Sequence, residues 1–543
     1  MKLTSVFHGI ALATPVAAMN CSVASFQSYL DSTNTTATVY SAEQVAQNGT
    51  FVVPKSNQAY TTSPENLPAL CQVQVNATTE AGTYYSFGLF LPKSWNQRFL
   101  AVGNGGYAGG INYIDMGAGV GYGFAVMSTD TGHSGAYQDT DWAYNNPDSV
   151  TDWGWRAMHG STVISKSIIQ AWYGSASTYN YFSGCSVGGR QGLRAIELFP
   201  EDYDGVSVGA PAWWTTHLQL NAVKTLTYNT PSDASHVIPQ SMYQTLNDEV
   251  IRQCDPQDGY EDNIISDPLA CRFNPLTLLC NSTTATNCLN ADQIGTLYRI
   301  YSDWVDVNDT FIFPHYLLGT ESAWANNIGT GGDASLENQS GFARNLLGLG
   351  PSWSYQDLDY STVQLAEQIN PGNATADDFD LTPFHKRGGK VIHHHGLSDA
   401  TLATGSSIYF YEHVAEAVVP QGAQMDDFYR MFLIPGMDHC MSTPSTMEAP
   451  WYIAGANQAA SLGASVSGVP GFRDAKHDVI LALMAWVEGK EAPDDIIATV
   501  WTNDQTHTEV YRQRPICRYP LQAKYTGSGD GNSADSWSCE SLY

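Results

Sequence analysis

Gly184-Cys185-Ser186-Val187-Gly188 has the G-x-S-x-G spacing of a nucleophile elbow. A serine hydroxyl attacks a carbonyl only when it projects from a tight strand-to-helix turn and a base takes its proton. Small flanking residues let the backbone turn that sharply. Here Asn180-Tyr181-Phe182 reads as the incoming strand and Arg190 to Phe199 as the outgoing helix. The base must be a histidine oriented by a carboxylate, and on an α/β sheet the order is Ser, then Asp or Glu, then His. Asp399, in Gly396-Leu397-Ser398-Asp399-Ala400, follows a predicted strand over 390–394. His439, in Pro435-Gly436-Met437-Asp438-His439-Cys440, follows one over 429–434. Asp438 adjoins the histidine and is badly placed to reach its far nitrogen. The oxyanion of an attacked ester needs two N–H donors. Val187, next after the serine, offers one, and Gly105 or Gly106 in the run Gly103–Gly110 offers the other. The chemistry is acyl transfer, with no organic cofactor. His393-His394-His395 suggests a metal, but alternate residues of a strand face opposite sides and leave too few convergent ligands.

These groups require a sheet to carry them. Phe87–Pro92, Arg98–Gly103 and Gly123–Ser128 read as buried strands, 155–173 as a long helix, and 474–488 as a second one. Strands alternating with helices predict an α/β fold with a mainly parallel sheet covered on both faces. From Trp213 to about Lys386 the texture changes to loops, acidic turns and four cysteines, and then the alternation resumes. The predicted division is 1–18 leader, 19–212 first part of the core, 213–386 inserted lid, and 387–543 second part of the core. No repeat is visible, and 527–538 reads as a Gly/Ser/Asp-rich loop.

The chain has 543 residues, 43% hydrophobic and 14% charged, enough for a large core. A net charge of −29 excludes nucleic acid and disfavours anionic membrane surfaces, both of which need clustered Lys and Arg. Lys2, the apolar run Leu3–Val16 and Val16-Ala17-Ala18 form a secretory signal cut near Ala18. Elsewhere the longest apolar stretch, Val479–Val487, is far below spanning length, so a secreted, extracellular protein is expected. Asn-X-Ser/Thr sequons begin at Asn20, Asn34, Asn48, Asn76, Asn281, Asn308, Asn338 and Asn373, and those from Asn34 onward are expected glycan acceptors. Ten cysteines without a CxxC pair favour disulfides over zinc. Count alone leaves the connectivity open, although Cys254–Cys271, Cys280–Cys288 and Cys517–Cys539 are sterically easy. A bond between Cys185 and Cys440 would tie the serine's neighbour to the histidine's.

The segments GCSVGGRQGL, LFPEDYDGVSVGAPA, RGGKVIHHHGLSDATL and FYRMFLIPGMDHC resemble the tannase/feruloyl esterase family from about Cys71 to Cys539. That family's mark is a Cys-Ser, Asp, His-Cys set, present here as Cys185-Ser186, Asp399 and His439-Cys440. The resemblance implies an α/β-hydrolase core with a large inserted lid. The full disulfide set expected is then Cys21–Cys71, Cys185–Cys440, Cys254–Cys271, Cys280–Cys288 and Cys517–Cys539. Closely spaced carboxylates around a Gly turn at 254–264 suit a hard, oxygen-preferring cation. They are similar to the family's structural calcium site, with ligands from Asp255, Asp258 and Asp262 and the carbonyls of Tyr260 and Ile264. The implied activity is hydrolysis of hydroxycinnamoyl esters of plant cell walls through an acyl-enzyme. Galloyl esters are the alternative substrate, and an inactive polyphenol- or carbohydrate-binding protein is the alternative of another class. The sequence does not fix the oligomeric state.

Overall fold

The structure is a computed structural model that describes residues 19–282, 286–326, 328 and 339–542. The expected leader and the sequon at Asn338 lie outside the described residues. The strands are β1 (Ala37–Val45), β2 (Leu70–Thr78), β3 (Tyr84–Pro92), β4 (Arg98–Val102), β5 (Ala125–Thr129), β6 (Tyr179–Cys185) and β7 (Gly205–Gly209). They continue with β8 (Trp304–Val305), β9 (Phe311–Phe313), β10 (Lys390–Gly396) and β11 (Tyr429–Ile434). Nine of these form one sheet in the order β1-β2-β3-β5-β4-β6-β7-β10-β11. From β5 to β11 every pairing is parallel, whereas β1, β2, β3 and β5 pair antiparallel. The fold is therefore α/β as expected, with an antiparallel flank that the apolar pattern hides. Gln72, Gln74 and Asn76 break the apolar run of β2, although most of that strand is buried.

The parallel strands are short and apolar because helices cover both of their faces. All five residues of β5 and of β7 are buried. One covering helix, Ala157–Tyr173, stops at Gly174, whose φ of 73° suits the left-handed cap. It begins two residues later than the sequence suggests, after a π-turn over Asp152–Arg156. The late helix begins at Val479 rather than 474, because the Asp478 carboxylate caps the N–H groups of Ile480 and Leu481. The loop expected over 527–538 ends in a strand, Trp537–Glu540, paired with Gln522–Tyr525.

Between β7 and β10 the chain leaves the sheet, and β8 and β9 pair with each other there. This stretch builds its own apolar cluster around Leu220, Leu246, Leu297 and Trp324, which also takes in Trp153, Val187 and Leu402 from the sheet side. Its two ends pack into the sheet's own core through Trp213 and through Ala376, Leu381 and Phe384. Arg190, on the helix after Ser186, is fully buried beneath the insert. Its guanidinium donates to the carbonyls of Trp153, Gly154 and Ala374 and lies 4.2 Å over the Trp153 ring. Five disulfides join the expected partners: Cys21–Cys71, Cys185–Cys440, Cys254–Cys271, Cys280–Cys288 and Cys517–Cys539. No helix among the described residues is long and apolar enough to cross a membrane.

Candidate active site

Ser186 sits at the end of β6, and the next helix, Val187–Leu198, starts at the following residue. Its backbone, at φ 62° and ψ −124°, is one that L-residues rarely adopt. Two bonds hold that turn: the Ser186 N–H donates to the Gly209 carbonyl, and the Ser186 carbonyl accepts from the Ala212 N–H, each at 2.9 Å. The glycines are demanded by close approach. A Cβ on Gly184 would lie 2.6 Å from the Gly188 backbone, and one on Gly188 would lie 2.8 Å from the Asn104 carbonyl oxygen.

Asp399 and His439 come from the loops after β10 and β11, which are paired strands. His439 Nδ1 donates to Asp399 Oδ2 at 2.7 Å. The other carboxylate oxygen accepts the N–H groups of Thr401 and Leu402 at 2.8 and 2.9 Å. Asp399 is fully buried, which by itself would raise its carboxyl. The positive imidazole of His439 and hydrogen bonds from His395 and His439 overcome that and hold it well below the usual carboxylate range. Burial pulls His439 down, but Asp399 outweighs it, so the imidazolium is stabilised above its ordinary range. Asp438 is no substitute. Burial and repulsion from Asp399 push it up to about 7, and its Oδ1 has no hydrogen-bond partner among the described residues.

Ser186 and His439 line one cavity of about 210 Å³, walled by Val187, Gly106, Tyr137, Leu218 and Tyr316. Leu218 and Tyr316 come from the insert, so sheet loops and lid close the cavity together. The Cys185–Cys440 bond, with Cα atoms 6.0 Å apart, joins the residue before Ser186 to the residue after His439. A larger open cleft of about 600 Å³, edged by Tyr40, Tyr84 and Asp130, contains none of the three residues.

Of the oxyanion candidates, Val187 is the first residue of its helix, so its N–H has no partner within the helix. Gly105 is a correction: its N–H donates to the Tyr60 hydroxyl at 2.7 Å and is not available. Gly106, at φ 53°, lines the cavity beside Ser186 and is the better donor. Sequence reasoning missed His395, whose Nε2 lies 3.0 Å from the same Asp399 oxygen that His439 holds. Strand alternation was the available signal. His393 and His395 share Ser407 on one face, while His394 packs on the other against Gly209 and Gly455. Tyr137, Leu218 and Tyr316 had no local signal, because distant segments bring them to the cavity.

The acidic loop brings Asp255, Asp258 and Asp262 together, all buried. Asp255 accepts the N–H groups of Asp262 and Asn263, and Asp258 accepts from Ser266 and from the Tyr260 N–H. Asp262 pairs with Arg514 and, at 3.4 Å, with Arg512. Burial raises Asp255, and it raises Asp258 to about 6; the carboxylate of Asp262 adds repulsion to both. Among the described residues no three acidic, histidine or cysteine side chains converge as a finished metal cage. The donors are nonetheless all oxygen and carry more negative charge than the two arginines offset, the chemistry that a hard dication fits. Asn34, Asn48, Asn281, Asn308 and Asn373 are exposed, and Asn76 is half-buried with its carboxamide held by Ser86.

Comparison with known proteins gives the chain a family. The model of a family described as tannase and feruloyl esterase matches residues 71–540. A probable feruloyl esterase B-1 of Aspergillus oryzae is 33% identical over 477 residues, 87% of this chain and 84% of that one. A probable feruloyl esterase B-2 of Aspergillus terreus is 31% identical over 473 residues, 87% and 86% of the two chains. The crystal structure of feruloyl esterase B from Aspergillus oryzae superposes with a TM-score of 0.84 at 30% identity, covering 95% of this chain and all of that one. Tannin acyl hydrolase from Aspergillus niger shares the fold, with a TM-score of 0.71 at 22% identity over 96% of each chain.

Proposed function

The chain belongs to the tannase and feruloyl esterase family and is a carboxylic ester hydrolase, and from that premise we propose that Ser186, His439 and Asp399 hydrolyse hydroxycinnamoyl esters of plant cell walls through an acyl-enzyme. One observation carries the reading. A strained serine and a carboxylate-bound histidine share a single cavity with tyrosine walls. Ser186 Oγ attacks the ester carbonyl while His439 Nε2 takes its proton. The oxyanion accepts from the Val187 and Gly106 N–H groups. His439 then protonates the leaving alcohol, and a water molecule, activated by the same imidazole, releases the aromatic acid. Throughout, Asp399 keeps the imidazole in the tautomer whose Nε2 can accept. Tyr137 and Tyr316 supply flat apolar surface for the acid's ring. A paired assay of methyl ferulate, methyl caffeate and methyl gallate tests the acid preference. Faster turnover of gallate would replace the hydroxycinnamoyl reading by a galloyl one. Ser186→Ala should lose all measurable turnover while keeping its melting temperature, and residual normal activity would remove the covalent route and revive a binding role on the same fold.

In the same reading the protein is secreted and acts outside the cell. The five disulfides support this, since such bonds persist in an oxidising compartment. Glycans sit on the exposed sequons, Asn34, Asn48, Asn281, Asn308 and Asn373. A calcium ion in the insert would be held by the side chains of Asp255, Asp258 and Asp262 with the carbonyls of Tyr260 and Ile264. It would supply charge compensation to the loop.

A further inference from the structure

We propose that Tyr429, His393, Ser407 and His395 form a one-way hydrogen-bond relay, and that His395 is thereby a positioning residue that gives Asp399 a neutral N–H donor. The proposal rests on Asp399 being the triad carboxylate. The heavy-atom distances are continuous: Tyr429 Oη to His393 Nδ1 2.8 Å, His393 Nε2 to Ser407 Oγ 2.8 Å, Ser407 Oγ to His395 Nδ1 2.7 Å, and His395 Nε2 to Asp399 Oδ2 3.0 Å. All five residues are buried, four of them with no exposed surface and Tyr429 likewise.

The direction follows from both ends. His395 Nε2 faces only acceptors, Asp399 Oδ2 and, at 3.2 Å, the Leu402 carbonyl, so it must carry hydrogen. At the far end, the Tyr429 hydroxyl has a single partner among the described residues, His393 Nδ1, and a buried hydroxyl facing one acceptor donates to it. His393, kept neutral by burial, then carries its one hydrogen on Nε2 and gives it to Ser407 Oγ. The Ser407 hydroxyl has one hydrogen left to place, and His395 Nδ1 is the acceptor that remains. Both ends therefore demand the same state, a neutral His395 with hydrogen on Nε2. Asp399 Oδ2 receives two imidazole N–H groups, one from His439, which exchanges a proton with the substrate side in each cycle, and one from His395, whose other nitrogen is tied to Ser407. The carboxylate is thereby fixed in orientation, and the His395 N–H offsets part of the charge that it presents to the His439 imidazolium.

The charged and titratable groups around His439 are Asp399 from the β10 loop and Asp438 from its own loop, with Tyr316 of the insert facing Asp399. Removing the His395 donor leaves the Asp399 charge less compensated and more strongly drawn to the imidazolium. His395→Phe should therefore lower kcat by about ten- to a hundredfold with KM nearly unchanged. It should also move the acid limb of the kcat/KM profile to higher pH. His395→Gln, which can still donate, should recover most of kcat and return the limb. Tyr429→Phe leaves His395 in place but unpins its tautomer, so a smaller fall in kcat is expected, again without a KM change. Phosphonate labelling of Ser186 counts intact sites in each variant. If His395→Phe does not fold, Tyr429→Phe and Ser407→Ala carry the test. Equal losses in the Phe and Gln variants with an unmoved acid limb, or wild-type turnover in Tyr429→Phe, would overturn the relay. Failure of the triad reading is separate, since it would appear as activity retained by Ser186→Ala.

Discussion

Two buried sets of carboxylates in this protein are compensated in opposite ways. Asp399 takes two backbone N–H groups and two imidazoles, and its carboxyl lies well below the ordinary range despite complete burial. In the acidic loop, Asp255, Asp258 and Asp262 share backbone amides, Ser266 and two arginines, and Asp255 and Asp258 are pushed up instead. The triad corner supplies all the positive and donor groups it needs from within the chain. The acidic loop keeps about one net negative charge after its two arginines are counted, which a dication from solvent would more than offset. On the proposed reading, a carboxylate that works on every turnover is pre-organised by the protein alone, whereas one that only holds a loop would be free to depend on an ion.

The largest break in this comparison should come from Asp399→Asn. The amide can satisfy one neighbour only by presenting an N–H to the other, so His439 is driven toward the tautomer that cannot accept from Ser186. A fall in kcat of about ten thousandfold is expected, with the fold retained. Steady-state kinetics together with a melting curve check this, and a loss under tenfold would contradict the assigned orientation. Next comes replacement of Cys185 and Cys440 together by alanine. Their bond spans 255 residues, and its loss removes roughly 5 kcal/mol of chain-entropy stabilisation by the loop model. It also frees the elbow from the histidine loop. A displacement of about 1 Å there costs on the order of a hundredfold in rate, so kcat should fall more than KM rises. A variant with lower melting temperature but normal kcat would confine the bond to a stability role.

The sequence made the triad corner legible and left most of the lid unread, for physical reasons. Elbow glycines, strand-end loops and the order Ser, Asp, His are local features, so Ser186, Asp399 and His439 could be named before any contact was known. The choice between Gly105 and Gly106 was not local. It turned on Tyr60, 45 residues away, which takes the Gly105 N–H. Similarly, the His393–His395 run read as a rejected metal site because alternation separates its faces. What alternation could not supply was that Ser407 and Tyr429 stand beside His393 and His395. The flank of β1 and β2 escaped because its buried polar residues are satisfied by distant partners: Gln72 donates to Ser41 on β1, and Gln74 donates to the Tyr113 hydroxyl at the start of the helix Tyr113–Gly121.

A smaller effect separates the two regions by chelation. Removing calcium should lower the melting temperature at pH 7.5 while leaving kcat at low temperature close to normal, because the loop lies in the insert and the triad holds its own charge. The pH dependence has a definite sign. Without the ion, the Asp258 carboxyl stands at about 6, above its unfolded value of about 3.8. The folded state then binds more protons than the unfolded one between those values, so stability rises as pH falls through this window. Bound calcium requires the ionised form, so its contribution weakens as pH falls through about 6. The melting-temperature gap between calcium and chelator should therefore narrow steadily from pH 7.5 to pH 5. A gap that stays constant, or elemental analysis finding no calcium, would remove the ion from the account.

The smallest expected effect, Asp258→Asn, sharpens the comparison most because its sign depends on the ion. The carboxamide oxygen can still accept from the Tyr260 N–H, and the NH2 in place of the other oxygen can donate to Ser266 Oγ once that hydroxyl rotates, so both contacts of Asp258 can be kept. It carries no charge, so the cost of burying an ionised group beside Asp262 disappears. In chelator at pH 7.5 the variant should be more stable than the parent protein, by on the order of 1 kcal/mol. The raised carboxyl, already net of its attraction to Arg514, would alone allow somewhat more, but the amide has to re-form its contact with Ser266 the other way round. With calcium present the order should reverse, since a charged ligand has been lost and the ion's contribution with it. The same exchange at Asp399 has no such reversal, because nothing in solution substitutes for what the chain provides there. Thermal unfolding of both proteins in calcium and in chelator gives four midpoints. Destabilisation in both media would show that Asp258 is needed for its charge inside the loop itself, and the contrast between the two carboxylate sets would then collapse.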